Sequence, residues 1–177
     1  MMKSTRDFAL RLLLLAVVAM AAASAVALFP PSVAAQEKDV AAVREALLQS
    51  TLSFEKNDLA AATKVWVNDE SLTVFESGHA NYGWKDYRDN HLGPEMREMR
   101  NTKYALSDVQ IHLAGKTAWA TFKYAIAADV MDNGKQRHVD GSGLGTAILE
   151  KRDAAWHIVH WHSSAPRRAA APPPKPK

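Results

Sequence analysis

The chain has 177 residues and a formal net charge of +3, and it contains no cysteine. This length suits one domain of ordinary size. Without cysteine the fold has no disulfide bonds and no thiolate metal ligands, and neither a cysteine nucleophile nor a lipid-modified cysteine is available. The sequence must therefore fold around an ordinary hydrophobic core.

Residues 1–35 have the features of a secretory signal peptide. Basic residues precede a nearly continuous apolar run over 12–29, and Val33-Ala34-Ala35 is typical of a cleavage site before Gln36. A permanent membrane anchor is the alternative, because the run approaches the length of a membrane span. We favour the signal peptide, since the run is rich in alanine and two prolines follow it. The mature chain is therefore expected to be periplasmic or secreted, with no membrane attachment after cleavage.

Basic residues gather at the two ends of the chain. The segment 166–177 combines them with several prolines, and this composition predicts a disordered tail. The domain between the ends, residues 36–165, has no cluster of basic residues of the kind that nucleic-acid-binding domains carry. We therefore expect no nucleic-acid partner.

The domain begins with two predicted helices. Over residues 37–56 apolar side chains recur every three or four positions, which predicts an amphipathic helix. Asp58 is a good N-cap for a second, short helix that ends at Val65.

One short strand and a third helix follow. Residues 71–76 have the composition of a strand. Residues 83–91 predict a helix in which Tyr87 and His91 are four positions apart and so share a face. Gly93-Pro94 is expected to end this helix, because proline disrupts a helix interior.

After residue 100 the pattern changes to long strands joined by short turns. Asp132-Asn133-Gly134 contains Asn-Gly, a strong hairpin signal. The predicted strands cover residues 102–113, 117–130, 136–150 and 155–163. Helices segregated to one side of an antiparallel sheet define an α+β domain. Strands this long need curvature, so we expect a cone-shaped, curved antiparallel sheet closed by about three N-terminal helices.

Three glycines recur on one face of the third long strand, at Gly141, Gly143 and Gly145. A phosphate-binding loop is one interpretation, but Thr146 breaks the G-x-G-x-x-G pattern and no helix follows. We favour a bent strand or a close approach by another backbone segment.

Several segments together resemble a known family. They are Val65-Trp66-Val67, Tyr82-Gly83-Trp84, Thr117-Ala118-Trp119-Ala120-Thr121, Gly145-Thr146-Ala147-Ile148-Leu149-Glu150 and Trp156-His157-Ile158-Val159-His160-Trp161-His162-Ser163. The chain resembles the nuclear transport factor 2-like superfamily and, within it, the SnoaL-like group that also includes ketosteroid isomerase homologues. The resemblance implies a cone-shaped α+β barrel with a pocket at its wide end, commonly a homodimer packed through the sheet. It also implies activities such as isomerisation, cyclisation or dehydration.

The last strand carries two candidate catalytic residues. His160 and His162 are two positions apart, so they are expected to share a face with Trp156 and Ile158. Because Trp and Ile indicate the interior, we expect both imidazoles to point into the cone. There they would be structural, act on a ligand as acid or base, or bind a metal.

A second cluster lies where the first strand passes into the third helix. In one interpretation its helix is a lid that packs aromatic side chains over the cone. In the other, His91 faces the two histidines of the last strand and completes the catalytic set. The predicted ligand-binding residues are Glu76, Trp84, Tyr87 and Trp156.

A metal site is the alternative use of the histidines. His79, His91, His160 and His162 would supply nitrogen ligands, which suit Zn²⁺ and Cu²⁺. The H-x-H spacing alone is a weak signal, so our first expectation is that the protein has no cofactor.

These observations favour an exported domain that binds an apolar or aromatic small molecule in the cone. Acid–base chemistry by the histidines would make it an isomerase, cyclase or dehydratase, and the sequence leaves open whether it is an enzyme. The alternative is a non-catalytic homodimeric scaffold or a periplasmic protein that binds copper or zinc through histidines.

Overall fold

The computed structural model describes residues 32–132 and 134–166, without the side chain of Asp132. The chain divides into two compact units, Met1–Gln36 and Glu37–Lys177. The predicted signal peptide and basic tail fall almost entirely outside the described residues, as does Asn133 of the predicted turn. Within the described ranges, no helix is both long enough and apolar enough to cross a membrane.

The first two predicted helices are present. Helix α1 spans Val33–Glu55 and helix α2 spans Leu59–Val65. As predicted, Asp58 caps α2, because its Oδ1 accepts a hydrogen bond from the Ala61 amide at 2.9 Å. Helix α1 begins earlier than predicted, and its first turn contains the predicted cleavage site Val33-Ala34-Ala35.

The third helical segment does not end at Gly93-Pro94, so that prediction is wrong. It consists of α3 (Trp84–Tyr87), a π-helical turn (Arg88–Leu92) and α4 (Gly93–Glu98). The Gly93 amide donates to the Arg88 carbonyl, and a Cβ on Gly93 would lie 2.6 Å from that oxygen. Glycine therefore permits this turn. Pro94 stands in the first turn of α4, where a missing N–H is tolerated.

Six strands form one curved sheet in the order β2-β1-β6-β5-β4-β3. They are β1 (Thr73–Glu76), β2 (His79–Tyr82), β3 (Met99–Ala114), β4 (Thr117–Asp132), β5 (Lys135–Arg152) and β6 (Ala155–Ser164). Neighbouring strands are antiparallel except β1 and β6, which are parallel. The predicted α+β fold class and the four long strands are confirmed, and the sheet is mixed because of this one pair.

The sequence prediction did not include β2. Strands β1 and β2 form a hairpin whose turn residues have positive φ, 51° at Ser77 and 85° at Gly78. Ser-Gly is a turn signal from which the hairpin could have been inferred. The turn places Glu76 opposite His79 at the end of the hairpin.

The hydrophobic core packs between the helices and the inner face of the sheet. Its largest fully buried side chains are Val43, Leu47, Leu72, Val74, Leu149 and Ile158. In β5, a Cβ on Gly143 would collide with the carbonyl oxygen of Ser164, and one on Gly145 would collide with the Phe122 ring. The close approach predicted for the glycine run is therefore confirmed at Gly143.

A β-bulge in β6 determines which side chains face the core. Leu149 of β5 pairs with Ile158, whereas the preceding Ile148 pairs with His160. Val159 is therefore an extra residue in β6, and the alternation of faces shifts by one position there. Beyond the bulge, Trp161 and Ser163 are the buried residues of the strand.

Candidate functional site

A cavity of about 360 Å³ is formed by α1, the third helical segment and the inner face of the sheet. Much of its wall is aromatic or apolar, with Phe54, Trp66, Tyr104, Tyr124, Ile126 and Trp161. Its polar part is formed by Glu76, His79, His91, Glu95 and serine side chains that include Ser163. No lysine or arginine is among the described residues that line it.

Glu76 is a largely buried carboxyl group at the end of β1, with 18% of its side chain exposed. Its Oε1 accepts a hydrogen bond from Ser163 Oγ at 3.2 Å. Burial raises the pKa of Glu76, while the nearby His91 and hydrogen bonds from Ser163 and Trp161 act in the opposite direction. Glu76 therefore binds a proton more readily than an exposed glutamate does.

His91 lies in the π-helical turn, beside two carboxyl groups. Its Nε2 is 3.5 Å from Oε2 of Glu76 and 3.4 Å from Oε1 of Glu95. The hydrogen bond to Glu95 raises the pKa of His91, although burial opposes the shift. The cavity thus holds an imidazole and a carboxyl group whose pKa values are both raised. Such groups serve as general acid or base near neutral pH.

The other ring nitrogen of His91 is bound from β2. Nδ1 lies 2.7 Å from Oδ1 of Asn81, and Nδ2 of Asn81 donates to Oδ2 of Asp86 at 3.0 Å. Asp86 also accepts from the Tyr82 amide at 3.1 Å and from Asn90 at 2.8 Å. These hydrogen bonds lower the pKa of Asp86, which keeps the group ionised.

Three tyrosines line the cavity and keep their protons. Burial raises the pKa of Tyr87 and Tyr104 well above the usual value, and it raises the pKa of Tyr124 as well. The rings of Tyr104 and Tyr124 are 6.1 Å apart. The ring of Tyr87 lies 5.4 Å from that of His91, which confirms that the two residues share a helix face. Protonated phenols at these positions are hydrogen-bond donors.

Of the residues predicted to bind a ligand, Glu76 and Tyr87 line the cavity, but Trp84 and Trp156 do not. Trp84 is 2% exposed and packs against Tyr87, with ring centroids 6.3 Å apart. The Nε1 of Trp156 donates to Oδ1 of Asp39 at 3.2 Å. Both tryptophans are used in packing and not in the wall of this cavity.

The prediction that His160 and His162 point into the cone is also wrong. The bulge places them on the outer face, out of register with Trp156 and Ile158. Nδ1 of His160 lies 2.6 Å from Oγ1 of Thr73. Burial lowers the pKa of His160, and the neighbouring His162 lowers it further. His91 is therefore the one member of the predicted catalytic set that lines the cavity.

The alternative metal set does not converge either. His79 and His91 line the cavity, whereas His160 and His162 lie on the opposite face of the sheet. Across residues 32–132 and 134–166, no group of three or more His, Cys, Asp or Glu side chains is arranged to hold a metal ion.

Sequence reasoning missed several residues of the site, among them Asn81, Glu95, Tyr104, Tyr124 and Ser163. Glu95 follows His91 by four positions, which is the spacing of contacts on a helix. The helix end wrongly predicted at Gly93 hid that spacing. Tyr124 and Phe122 are two positions apart in β4, so strand alternation could have placed Tyr124 on the inner face.

The sequence model of the SnoaL-like domain matches residues 43–168. No curated protein matches the chain significantly.

A nuclear transport factor 2-like superfamily protein from Salmonella enterica is 22% identical to this chain. The match covers 72% of this chain and 91% of the Salmonella chain, with a TM-score of 0.64. A proposed dehydratase of that family from Streptomyces avermitilis is 16% identical, with coverages of 75% and 99% and a TM-score of 0.66. A proposed ketosteroid isomerase from Shewanella frigidimarina is 20% identical, with coverages of 68% and 92% and a TM-score of 0.54.

At these identities the solved structures establish the fold, while the family match extends over most of the described chain. The predicted resemblance is confirmed. The chain belongs to the SnoaL-like family, and it shares the fold of nuclear transport factor 2-like proteins.

Proposed function

We propose that the domain binds a neutral, apolar or aromatic small molecule in its cavity and transfers a proton on it through His91, assisted by Glu76. One observation carries the proposal. Nε2 of His91 lies between two carboxyl groups, 3.5 Å from Glu76 and 3.4 Å from Glu95, in the polar part of an otherwise largely aromatic cavity.

The lining of the cavity supports a neutral ligand. Glu76 and Glu95 contribute negative charge, and the described lining residues include no lysine or arginine to offset it. The imidazolium form of His91 is already paired with these two carboxyl groups, so an anionic ligand would lose its hydration without gaining a free cation. Aromatic walls favour flat or ring-shaped molecules, and about 360 Å³ accommodates one small molecule.

The proposed chemistry is reversible proton transfer at carbon. Neutral His91 takes a proton from a C–H bond next to a carbonyl group, and the electron pair of that bond moves to the carbonyl oxygen to give an enolate. Return of the proton from His91 to a different carbon isomerises the ligand. In the dehydration, the enolate electrons re-form the carbonyl group and a carbon–carbon double bond as the C–O bond of a neighbouring hydroxyl group breaks, and the hydroxyl group leaves as water with the proton that His91 had taken. Two of the similar structures are proposed to be a dehydratase and a ketosteroid isomerase, and both activities use proton transfer of this kind.

The test uses 2-tetralone, a neutral bicyclic ketone with acidic C–H bonds. Its exchange of hydrogen for deuterium in D₂O is followed by proton NMR with the wild-type protein. We expect acceleration over buffer, and His91→Gln should reduce it by about 100-fold or more. His138→Gln is the matched control, because His138 is exposed and bound to Asp129 at 2.9 Å.

Binding is tested separately by thermal shift. 2-Naphthol should raise the melting temperature, and the anionic 2-naphthoate should not, because a ligand that binds only the native state stabilises it. Equal stabilisation by both compounds would contradict the charge argument. No exchange and no stabilisation by either probe would count against the proposed function as a whole.

We also propose that a second copy of the chain covers the outer face of the sheet. Trp119 is 42% exposed there and Leu144 is 62% exposed, and large exposed apolar side chains on one face are typical of interfaces. Sedimentation velocity should show that the wild-type protein is a dimer. The double variant Trp119→Glu, Leu144→Glu should be a monomer. Leu48→Glu is the control, because Leu48 is exposed on α1.

Export of the protein is the remaining part of the proposal. Its support is the composition of residues 1–35, with basic residues followed by an apolar run and small residues before Gln36. The full chain expressed in a bacterium should appear in the periplasmic or secreted fraction with its N-terminus at Gln36. A cytoplasmic protein that retains Met1 would contradict export.

A further inference from the structure

Asn81 and Asp86 take no part in the proton transfer described above, yet they form a continuous hydrogen-bonded chain to His91. Oδ1 of Asn81 lies 2.7 Å from Nδ1 of His91, and Nδ2 of Asn81 is 3.0 Å from Oδ2 of Asp86. Asn81 is buried, with 9% of its surface exposed. This series of hydrogen bonds runs from Asp86, on the solvent side of α3, through Asn81 to the imidazole of His91.

The direction of each hydrogen bond follows from the chemistry of the groups. An ionised carboxylate can only accept, so the Asn81 atom that contacts Asp86 must be its NH₂ group. The carbonyl oxygen of Asn81 then faces His91 and can only accept, so Nδ1 of His91 carries a proton. In the neutral imidazole, the free electron pair is therefore on Nε2, the nitrogen beside Glu76 and Glu95.

Asp86 is itself held in place. Its Oδ2 also accepts from the Tyr82 amide at 3.1 Å, and its Oδ1 accepts from Nδ2 of Asn90 at 2.8 Å. The amide of Asn81 therefore has one favourable orientation. Turning it over would place its carbonyl oxygen against a carboxylate and its NH₂ group against the imidazole N–H.

We propose that Asn81 and Asp86 are positioning residues that fix the tautomer of His91, so that Nε2 is the nitrogen that exchanges protons with the ligand. This inference deepens the proposed function and rests on it. It assigns a role to residues that do not touch the ligand: Asp86 orients Asn81, and Asn81 orients His91. A tautomer set in this way by the partner of the opposite nitrogen is a general feature of histidine.

The groups that face His91 come from four elements. Glu76 lies on β1, Glu95 on α4, and Asn81 with its partner Asp86 connects β2 to α3. The Tyr87 ring completes the set at 5.4 Å. Glu76, Glu95 and Asp86 all favour the protonated imidazole, and in the neutral form the two carboxyl groups beside Nε2 compete with Asn81 for the remaining proton. The contact of Nδ1 with Asn81 is the shortest of the three, at 2.7 Å, and it holds the proton on Nδ1.

The experiment measures the tautomer directly, with no ligand present. Protein labelled with ¹⁵N-histidine is examined by long-range ¹H–¹⁵N NMR at a pH where His91 is neutral, and His91→Gln identifies its signals. In the wild type, Nδ1 should be the protonated nitrogen. Asp86→Ala and Asn81→Leu should each shift the tautomer ratio toward protonated Nε2 by about fivefold, the effect of losing roughly one hydrogen bond.

Two further variants separate orientation from charge and from general disturbance of the helix. Asp86→Asn keeps a carbonyl oxygen for Asn81, with Asn90 able to turn and accept, so the wild-type tautomer should persist. Asp89→Ala removes a nearby carboxylate that binds Lys85 and Arg88, and it should change nothing.

The inference is overturned if Asp86→Ala leaves the tautomer ratio unchanged, or if Asp89→Ala shifts it equally. Should Asn81→Leu fail to fold, the comparison of the Ala and Asn variants at Asp86 decides the question. A separate outcome is that the tautomer responds as expected while 2-tetralone neither exchanges hydrogen nor binds. That result would support the role of Asn81 and Asp86 in fixing the tautomer and would contradict the proposed function.

Discussion

Glu76 and Ser163 lie side by side in the parallel pairing of β1 with β6, and Oγ of Ser163 donates to Oε1 of Glu76 at 3.2 Å. This contact joins the short hairpin to the last long strand at the polar part of the cavity. It also favours the ionised form of a carboxyl group whose pKa burial raises.

Ser163→Ala should therefore raise the pKa of Glu76 further. The substitution removes a donor to the carboxylate and leaves the burial of the group unchanged. The measurement is a ¹³C NMR titration of the glutamate side chains, with Glu76→Gln to assign the signal. A lower pKa in Ser163→Ala would show that the serine does not stabilise the carboxylate.

Glu76→Gln should stabilise the protein at alkaline pH. The folded-state pKa of Glu76 is raised above its unfolded value, so its contribution to stability is present at acidic pH and is lost as the pH rises through the folded pKa. Glutamine does not ionise, and the variant should gain on the order of 1 kcal/mol in unfolding free energy at pH 8.5.

Urea unfolding at pH 4, 6 and 8.5 measures this gain. It should be smallest at pH 4, where Glu76 is mostly protonated in both states, and intermediate at pH 6, where protonated His91 partly offsets the buried charge. A variant that is less stable than the wild type at every pH would contradict the expectation.

His91→Gln should give a pH dependence of the same sense as Glu76→Gln, because in both cases the wild type loses stability relative to the variant as the pH rises. The folded pKa of His91 is raised, so its stabilising effect is complete below the unfolded pKa of about 6.5 and is lost as the pH rises through the folded value. At strongly acidic pH, protonation of Glu76 removes one of its partners.

The wild type should therefore exceed the His91→Gln variant by about 1 kcal/mol near pH 6 and by less at pH 9. Unfolding by guanidinium chloride at the two pH values measures the difference. A stability difference that does not change with pH would mean that the imidazole charge contributes nothing.

Gly145→Ala should destabilise the domain by about 2 kcal/mol, the scale of overpacking a core position. The new Cβ would collide with the Phe122 ring, which is 3% exposed and cannot move into solvent. Gly141→Ala is the matched control on the same strand, because its Cβ would meet Ile126 at an ordinary 3.6 Å. Chemical unfolding of the two variants should separate them, and equal stabilities would contradict the packing argument.

Most of the fold could be predicted because its signals are local. The apolar spacing of α1, the Asp58 cap and the alternation in the long strands each depend on neighbours in the sequence. The parallel pairing of β1 with β6 could not be predicted, because it joins strands that are distant in the sequence.

The site was predicted less completely than the fold, for two physical reasons. The bulge at Val159 follows from how β6 packs against β5, and strand periodicity does not reveal it. The helix was expected to end at Gly93, but the same residue permits the π-helical turn that holds His91. In both cases one residue that departs from regular geometry determines where a histidine side chain lies: His160 in β6 and His91 in the π-helical turn.

The extra residue in β6 bears on how relatives of this fold could diverge. If the strand kept all its residues but lost the bulge, the imidazoles at 160 and 162 would share a face with Trp156 and Ile158 and enter the cavity, and the side chains at 161 and 163 would leave it. The chemistry of the cavity in this architecture could thus be exchanged by the presence or absence of one bulge, with every amino acid retained.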